Sequence, residues 1–261
     1  MNNYKTLPFA PSRIATIDVC ETGRKKHHIA AMIELDVTDA RSKIRQYRRT
    51  QGKISFTAWL IKAISLTVAG HQIAAAFLKG KRRLMIFDDI NISMAVEKEV
   101  NGERVPIPLI IEKAQHASAE SITRQISEAR DCNITGKDIV LQRNTGRMEK
   151  IYYHLPGFLR RLVWKIILKH PRMAYGKMGN VAFTSIGMMG NVKGWFIPLS
   201  VHPLCFGVGT INKKPAVVNN QIVIRELLSM TILLDHDVID GAQMARFINE
   251  LTQNIEGGIG V

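Results

Sequence analysis

The chain has 261 residues, 46% of them hydrophobic, and its 36 Lys and Arg outnumber its 22 Asp and Glu to give a net charge of +14. This length and apolar content suit a single domain over residues 1–261 with a large core, and three widely spaced cysteines argue against a disulfide framework or a cysteine metal site. The sequence has no secretory leader and no uncharged apolar run long enough to span a bilayer, so a cytoplasmic protein without a bound metal is expected.

The first half of the chain alternates between strand and helix patterns. A short amphipathic segment runs from Ile14 into a basic turn at Arg24, and an Asn-Gly pair at 101–102 predicts a hairpin. Pro106 and Pro108 indicate that the strand that contains them lies at a sheet edge or has a bulge. Strands are predicted at 28–37, 79–86, 89–96 and 105–111. Helices are predicted at 38–49 with Thr38 as the cap, at 58–71 after Ser55 or Thr57, and at 122–129.

The second half ends in a run of strands and a last helix. Residues 131–150 are polar and irregular, a helix over 157–170 is ended by Pro171, and Asn219-Asn220 predicts a tight turn. Strands are predicted at 181–186, 206–211, 216–218, 221–225 and 228–234, and the final helix at 242–255. Hairpins mixed with crossing helices indicate an α/β fold with a mixed, largely antiparallel sheet.

The most informative stretch is Leu234-Asp-His-Asp-Val-Ile-Asp-Gly241. Here an apolar strand ends at His236, and a helical pattern begins directly after Asp240 and Gly241. Imidazole is the side chain whose unperturbed pKa lets it accept and return a proton near neutrality, and a nearby carboxylate can orient it. A single His near an Asp is more often structural, so this pattern alone indicates a catalytic base only weakly.

Five segments in order resemble the CoA-dependent acyltransferase superfamily, which includes chloramphenicol acetyltransferase and the catalytic domains of dihydrolipoamide acyltransferases. The ordered set is more specific than any one segment, and it extends from about Ser12 to Glu256. The resemblance implies a two-layer sandwich of the chloramphenicol acetyltransferase type. The segments are Phe56–Ile64, Asn91–Val96, Val105–Ile111, Phe183–Gly190 and Asp235–Leu251.

The resemblance also implies a reaction and the residues that perform it. An acyl group would move between CoA, as acyl-CoA substrate, and a thiol, hydroxyl or amine acceptor. His236 would be the general base, and the Thr184 hydroxyl would bind the oxyanion of the tetrahedral intermediate. Ser185 is the alternative to Thr184 if the alignment slips by one residue, and Thr184 is also a residue that strands favour for its shape.

The same resemblance gives Asp240 a structural role. In the family this Asp pairs with an Arg and holds the His loop in shape. Arg24 is the candidate partner, and Arg13 is the second choice. The family also implies a homotrimer with each active site between subunits, His236 coming from one chain and Thr184 from its neighbour.

The sequence departs from the family at three places. No lipoyl domain precedes the catalytic part, so a lipoyl or other carrier substrate is expected to arrive on another chain. Asp237 replaces the usual Arg, which predicts a raised pKa for His236. The segment 136–177 is longer and more basic, and its helix over 157–170 is expected to pack on its own core or across a subunit interface, in preference to a membrane surface.

Other functions remain open from the sequence. A catalytically silent trimeric scaffold is the main alternative, because Asp237 and the missing lipoyl domain both depart from active relatives. A condensation-type enzyme is disfavoured, because Asp235 stands where those enzymes carry a first His and the chain is much shorter. The net positive charge predicts an anionic partner, but no nucleic-acid-binding motif accompanies it, so phosphate-bearing small molecules are favoured over nucleic acid.

Overall fold

A computed structural model describes residues 3–7, 11–80, 82–100, 103–131, 152, 154–187 and 192–261. The helices are α1 Pro11–Gly23, α2 Thr38–Thr50, α3 Phe56–Gly70, α4 Ala119–Asp131, α5 Gly157–Lys169, α6 Pro171–Met178 and α7 Gly241–Glu256. The strands are β1 His28–Asp36, β2 Phe77–Lys79, β3 Arg83–Met85, β4 Ile92–Val100, β5 Glu103–Ile111, β6 Val181–Ser185, β7 Leu204–Val218 and β8 Gln221–Asp235. The predicted irregular stretch 131–150, the Asn101-Gly102 turn and most of the loop Gly187–Gly190 lie outside the described residues.

The main sheet has six strands in the order β1-β8-β7-β6-β4-β5. The pairs β1/β8, β8/β7 and β4/β5 are antiparallel, and β7/β6 and β6/β4 are parallel. The predicted mixed, largely antiparallel sheet is therefore confirmed. β5, which contains Pro106 and Pro108, is an edge strand as predicted, because a proline has no N–H to give to a second neighbour.

One face of the sheet carries the core. Alternate side chains of the central strands pack against α2, α3, α4 and α7, and Trp59, Phe206 and Phe247 are among the largest fully buried side chains. Ser55 begins α3 by accepting a hydrogen bond from the Ala58 N–H at 3.1 Å, which is one of the two predicted starts. Sheet and helices thus make two layers.

The opposite face, which we call the open face, carries no such helix layer among the described residues. Residues 192–203, the cover segment, cross part of it. The Trp195 Nε1–H donates to the Ile33 carbonyl at 2.9 Å, and a Cβ built on Gly207 would lie 3.0 Å from Pro198. Several apolar side chains on this side are exposed: Met32, Val192, Ile197 and Leu199.

The structure differs from the predicted elements in length and number. In place of the single strand predicted at 79–86, the structure has two short antiparallel strands, β2 and β3. The separate strands predicted between 206 and 234 merge into two long strands. Asn219 and Asn220 both adopt left-handed φ values, 50° and 59°, which turn β7 directly into β8. Pro171 ends α5 as predicted, but it also occupies the first turn of an unpredicted helix, α6.

The start of α2 was predicted incorrectly in one detail. Thr38 is the first helical residue and Val37 precedes it without a capping side chain. The Asp36 carboxylate accepts from both the Thr38 N–H, at 3.0 Å, and the Thr38 hydroxyl, at 2.6 Å. The orphan donor of the first turn is therefore satisfied by a residue before the helix.

The β7/β8 hairpin extends beyond the rest of the sheet. β1 pairs with β8 only from Leu227 onward, so residues 212–226 form a two-stranded arm. Val217 lies opposite Ile222 and Pro215 opposite Ile224, which puts these apolar side chains on one face of the arm. Ile222 is 80% exposed, and this face is therefore apolar and uncovered in the single chain.

Two positions fix the entry to β6. Gly179 has φ 73°, and a Cβ there would lie 2.3 Å from the Asn91 carbonyl oxygen, so only glycine fits. The same Asn91 carbonyl accepts from the N–H groups of Asn180 and Val181, and the Asn180 side chain accepts from the Asn91 N–H at 2.9 Å. These contacts set the register of β6 beside β4. No helix among the described residues is long and apolar enough to cross a membrane.

Candidate active site

The loop that carries His236 joins β8 to α7. We call residues 235–240 the His loop. β8 ends at Asp235, and Asp240 caps α7 by accepting from the Gln243 N–H at 3.0 Å. The His236 ring is exposed, so the loop presents an imidazole to whatever lies outside this chain.

A buried ion pair holds the first residue of the His loop. The Lys26 Nζ lies 2.6 Å from Asp235 Oδ2, and Asp235 is 1% exposed. The second carboxylate oxygen of Asp235 accepts from the Asp237 N–H at 3.3 Å. Because an unpaired carboxylate at this depth would be costly, Lys26 is the group that allows Asp235 to lie directly before the candidate base.

The neighbouring residue, His27, contacts the loop twice. Its carbonyl oxygen accepts from the His236 N–H at 2.9 Å, and its Nδ1 lies 2.9 Å from Asp237 Oδ1. The hydrogen bond to Asp237 raises the pKa of His27 above its usual value. Asp237 therefore turns towards His27, whereas the sequence predicted that it would act on His236. We call Lys26 and His27 together the clamp.

The predicted Arg24–Asp240 pair is not present among the described residues. The Asp240 side chain serves the helix N-terminus, where a carboxylate is favoured by the helix dipole, and no basic side chain of the described residues pairs with it. Arg24 is exposed. Lys26 and Asp235 form the ion pair at the start of the His loop, and Asp240 fixes the end of the loop by capping α7.

The clamp was missed because the sequence gives only part of the signal. The sequence indicates a basic turn at Arg24, but which of its cations is buried depends on strand register. β1 pairs with β8 so that His28 lies opposite Asp235, and this places Lys26 beside the end of β8. With this register known, the alternation of side chains, continued two residues before His28, would place Lys26 on the same side as Asp235.

Thr184 lies on the open face of β6. Val181 and Phe183 face the core, so the alternation of a strand turns Thr184 to the other side, where it is half-buried. Ser185 has the parity of Phe183, and its hydroxyl accepts from the Gly187 N–H at 3.3 Å. The strand geometry therefore favours Thr184 over Ser185 as the hydroxyl that faces outward.

Thr184 and His236 of one chain do not meet. In the sheet register Thr184 lies opposite Gly207, which lies opposite Thr231, so Thr184 is two strands away from β8. β8 runs four more residues before its end at Asp235. With strands about 4.8 Å apart and about 3.3 Å per residue, the Cα atoms of Thr184 and Asp235 are separated by roughly 16 Å.

A polar layer of His28, Ser200 and His202 lies next to the clamp in the chain interior. His202 donates from Nε2 to the Met178 carbonyl at 2.9 Å, and its Nδ1 lies 3.2 Å from the Ser200 hydroxyl. The His28 Nε2–H donates to the His202 carbonyl at 2.9 Å. Burial raises the pKa of the Cys205 thiol to about 12, which keeps it protonated and excludes it as a nucleophile at neutral pH.

This layer predicts acid sensitivity. Burial lowers the pKa of His202 from 6.5 to about 4. Between these values the unfolded chain binds a proton that the folded chain does not, so the free energy of unfolding should fall as the pH falls from about 6.5 to 4, by up to roughly 3 kcal/mol. Denaturant unfolding at a series of pH values measures this slope.

His202→Asn is the control for the acid effect. The variant is expected to be less stable at all pH values but to lose a large part of the slope between pH 6.5 and 4. His28, whose pKa is also lowered by burial, should contribute to the slope that remains. Parallel slopes for the variant and the original chain would show that His202 is not the group responsible.

Comparison with known proteins identifies the fold and the family. A family model described as the 2-oxoacid dehydrogenases acyltransferase (catalytic domain) matches residues 2–139 and 173–259. The chain belongs to this acyltransferase family. The resemblance inferred from the five sequence segments is thereby confirmed, and residues 140–172 stand outside what the family model describes.

Individual members of the acyltransferase family agree. The chain is 25% identical to the dihydrolipoyllysine-residue acetyltransferase component of the pyruvate dehydrogenase complex of Mycoplasma genitalium, across 97% of this chain and 58% of that protein. It therefore spans little more than half the length of that relative. A structure of the Azotobacter vinelandii dihydrolipoamide acetyltransferase superimposes with a TM-score of 0.69 at 16% identity, across 98% of this chain and 92% of that one.

The chloramphenicol acetyltransferase fold is confirmed at a greater distance. A structure of that enzyme superimposes with a TM-score of 0.50 at 9% identity, across 95% of this chain and 96% of that one. Such a low identity carries the fold alone. The family model places the His loop and β6 in an acyltransferase catalytic domain.

Proposed function

We propose that this acyltransferase-family chain moves an acyl group between CoA and a thiol, hydroxyl or amine acceptor, with His236 as the general base. The observation that supports this most is the exposed imidazole at the end of β8, whose backbone is fixed by the clamp. Rigid support of a reactive side chain by a strand end and buried contacts is what precise proton transfer requires.

The proposed reaction divides its work between His236 and Thr184. The imidazole takes the proton from the acceptor as the acceptor attacks the thioester carbonyl carbon. The Thr184 hydroxyl donates a hydrogen bond to the oxyanion that forms, which typically contributes about 10²–10³ in rate. When the tetrahedral intermediate collapses, the CoA thiolate leaves and takes the proton back from the imidazolium.

The separation of roughly 16 Å within one chain supports a site in which these two groups come from different copies. We propose that the active site lies between subunits of a homotrimer, His236 from one and Thr184 from the next. The exposed apolar side chains of the open face and the apolar face of the arm are surfaces suited to contacts between copies. A lipoyl or other carrier domain on another chain is the proposed source of the acyl group or its acceptor.

Mixing two inactive variants tests this arrangement. His236→Ala and Thr184→Ala chains are each expected to be nearly inactive with acetyl-CoA and dihydrolipoamide. When they are unfolded together and refolded as mixed trimers, about one site in three of each mixed trimer has both groups intact, so activity should return. Chains refolded separately and then combined are the control, because their trimers contain one variant only.

The alternative, a catalytically silent scaffold, gives a different result. The original chain would then consume no acyl-CoA under any condition, although it would still form trimers in analytical ultracentrifugation. A site contained in one chain would show as activity in the original chain that mixing never restores.

A further inference from the structure

Helix α5 exposes a face that is both apolar and basic. Phe158, Leu162 and Ile166 form a stripe at a spacing of four residues, about 12 Å long, and Phe158 is 64% exposed. Three exposed cations lie beside the stripe, and no residue of α5 is buried. We call these six residues the outer face of α5: Phe158, Arg161, Leu162, Lys165, Ile166 and Lys169.

The opposite side of α5 is anchored to α1 by polar contacts. The Arg160 Nε lies 2.7 Å from Oδ2 of the buried Asp18, and the Tyr152 hydroxyl donates to the same oxygen at 2.7 Å. The Trp164 Nε1–H donates to the Tyr152 hydroxyl at 2.9 Å, and a second Arg160 nitrogen donates to the Leu155 carbonyl at 2.7 Å. This network fixes the rotation of the helix, and so the outer face is held away from the rest of the described chain.

The charge of this region favours an anionic occupant. Residues 156–178 contain six Lys and Arg and no Asp or Glu. Arg160 pairs with Asp18, and among the described residues Arg161 has one carboxylate contact, at 3.5 Å from the exposed Glu21. The remaining cations are therefore available to an anionic partner.

A second copy of this chain offers few free carboxylates. Many acidic side chains on the described surface already pair with a cation of their own chain, and the whole chain has 14 more cations than anions. Among these pairs are Asp36 and Asp39 with Arg225, Glu226 with Arg41, Asp89 with Lys113, and Glu34 with Lys214. Burying the outer face against another copy would therefore strand positive charge.

The outer face lies outside the residues that the family model matches. The model leaves residues 140–172 unmatched, and this range contains all of α5. The face is separate from the His loop and β6, and the proposed transfer reaction does not account for it.

We propose that the outer face of α5 lies on the surface of an anionic lipid bilayer. The stripe is carried on a convex helix instead of a groove, and its cations border it, so apolar side chains can enter the acyl boundary while long basic side chains reach the headgroups. A bilayer meets this arrangement without a matching shape, whereas an acidic protein would need a complementary groove. The net charge of +14 adds long-range attraction to the same surface.

Vesicle co-sedimentation of the full chain tests the proposal. Binding is expected to phosphatidylcholine vesicles that contain phosphatidylglycerol, to weaken as salt is raised, and to be absent with phosphatidylcholine alone. Lys165→Glu/Lys169→Glu should bind at least about 25-fold more weakly, about fivefold for each cation lost. Phe158→Ser/Leu162→Ser/Ile166→Ser should lose binding while keeping the charge.

The matched control changes the same charge elsewhere. Arg49→Glu/Lys53→Glu alters two exposed cations at the end of α2 and just beyond it, and this variant should bind about as well as the original chain. An equal loss in both Glu variants would show that net charge alone is responsible and would overturn the proposal. Failure to bind anionic vesicles, or binding to polyglutamate that is stronger and depends on the same residues, would overturn it as well. Circular dichroism verifies that each variant is folded.

Discussion

Replacing His236 by alanine is expected to lower the turnover of acetyl-CoA with dihydrolipoamide by about 10²–10⁴-fold, because the acceptor loses the group that removes its proton. The ring is exposed and makes no side-chain hydrogen bond with the described residues, so the fold should be unaffected. The measurement is the initial rate of free CoA formation by mass spectrometry, with the melting temperature recorded in parallel.

His116→Ala is the matched control for this prediction. His116 is also an exposed imidazole near a carboxylate, since its Nε2 lies 3.8 Å from Asp89 Oδ1, but it is remote in the fold from the His loop. Its loss should leave the rate unchanged. A His236→Ala chain as fast as the original would remove the base from the mechanism and direct attention to the scaffold alternative.

Replacing Lys26 by methionine is expected to destabilise the chain by about 3 kcal/mol, because Asp235 would then be a buried carboxylate without its cation. We take the lower end of the range for broken buried pairs, since the Lys26 side chain is 22% exposed and water can partly replace it. The rate should fall as well, because the residue before His236 loses its anchor. Denaturant unfolding and initial rates measure the two effects.

Two variants separate the ion pair from other effects of the substitution. Lys25→Met changes the exposed neighbour and should alter the free energy of unfolding by less than about 0.5 kcal/mol. Lys26→Met/Asp235→Asn removes the stranded charge and should recover a large part of the stability. If Lys26→Met alone were as stable as the original chain, the clamp would contribute nothing to holding the loop.

The sequence predicted the fold well because the fold depends on local patterns. The period of apolar residues identified α3 and β8, and the prolines of β5 marked an edge strand before any pairing was known. The errors came where tertiary contacts decide. Much of the surface of the arm is exposed, and yet the arm remains extended. The local pattern therefore does not show that residues 206–234 form two continuous strands.

The candidate site was predicted unevenly for the same reason. His236 and Thr184 could be chosen from sequence because they belong to short segments with their own signature. The partner of the His loop could not, since Lys26 and Asp235 are 209 residues apart and meet only through the β1/β8 register. The adjacent cations Arg24, Lys25 and Lys26 look alike in sequence, and burial alone distinguishes Lys26, which pairs with Asp235.

The order of strands has a consequence for synthesis on the ribosome. β8 lies between β1 and β7, so β1 has no strand beside it until β8 has emerged, and β8 begins at Gln221, 185 residues after β1 ends at Asp36. Until then the backbone edges of β1 and β7 that pair with β8 have no partner strand, and unpaired strand edges promote aggregation. A chain that stopped before β8 would lack the strand that joins β1 to the rest of the sheet, and it would lack His236 as well.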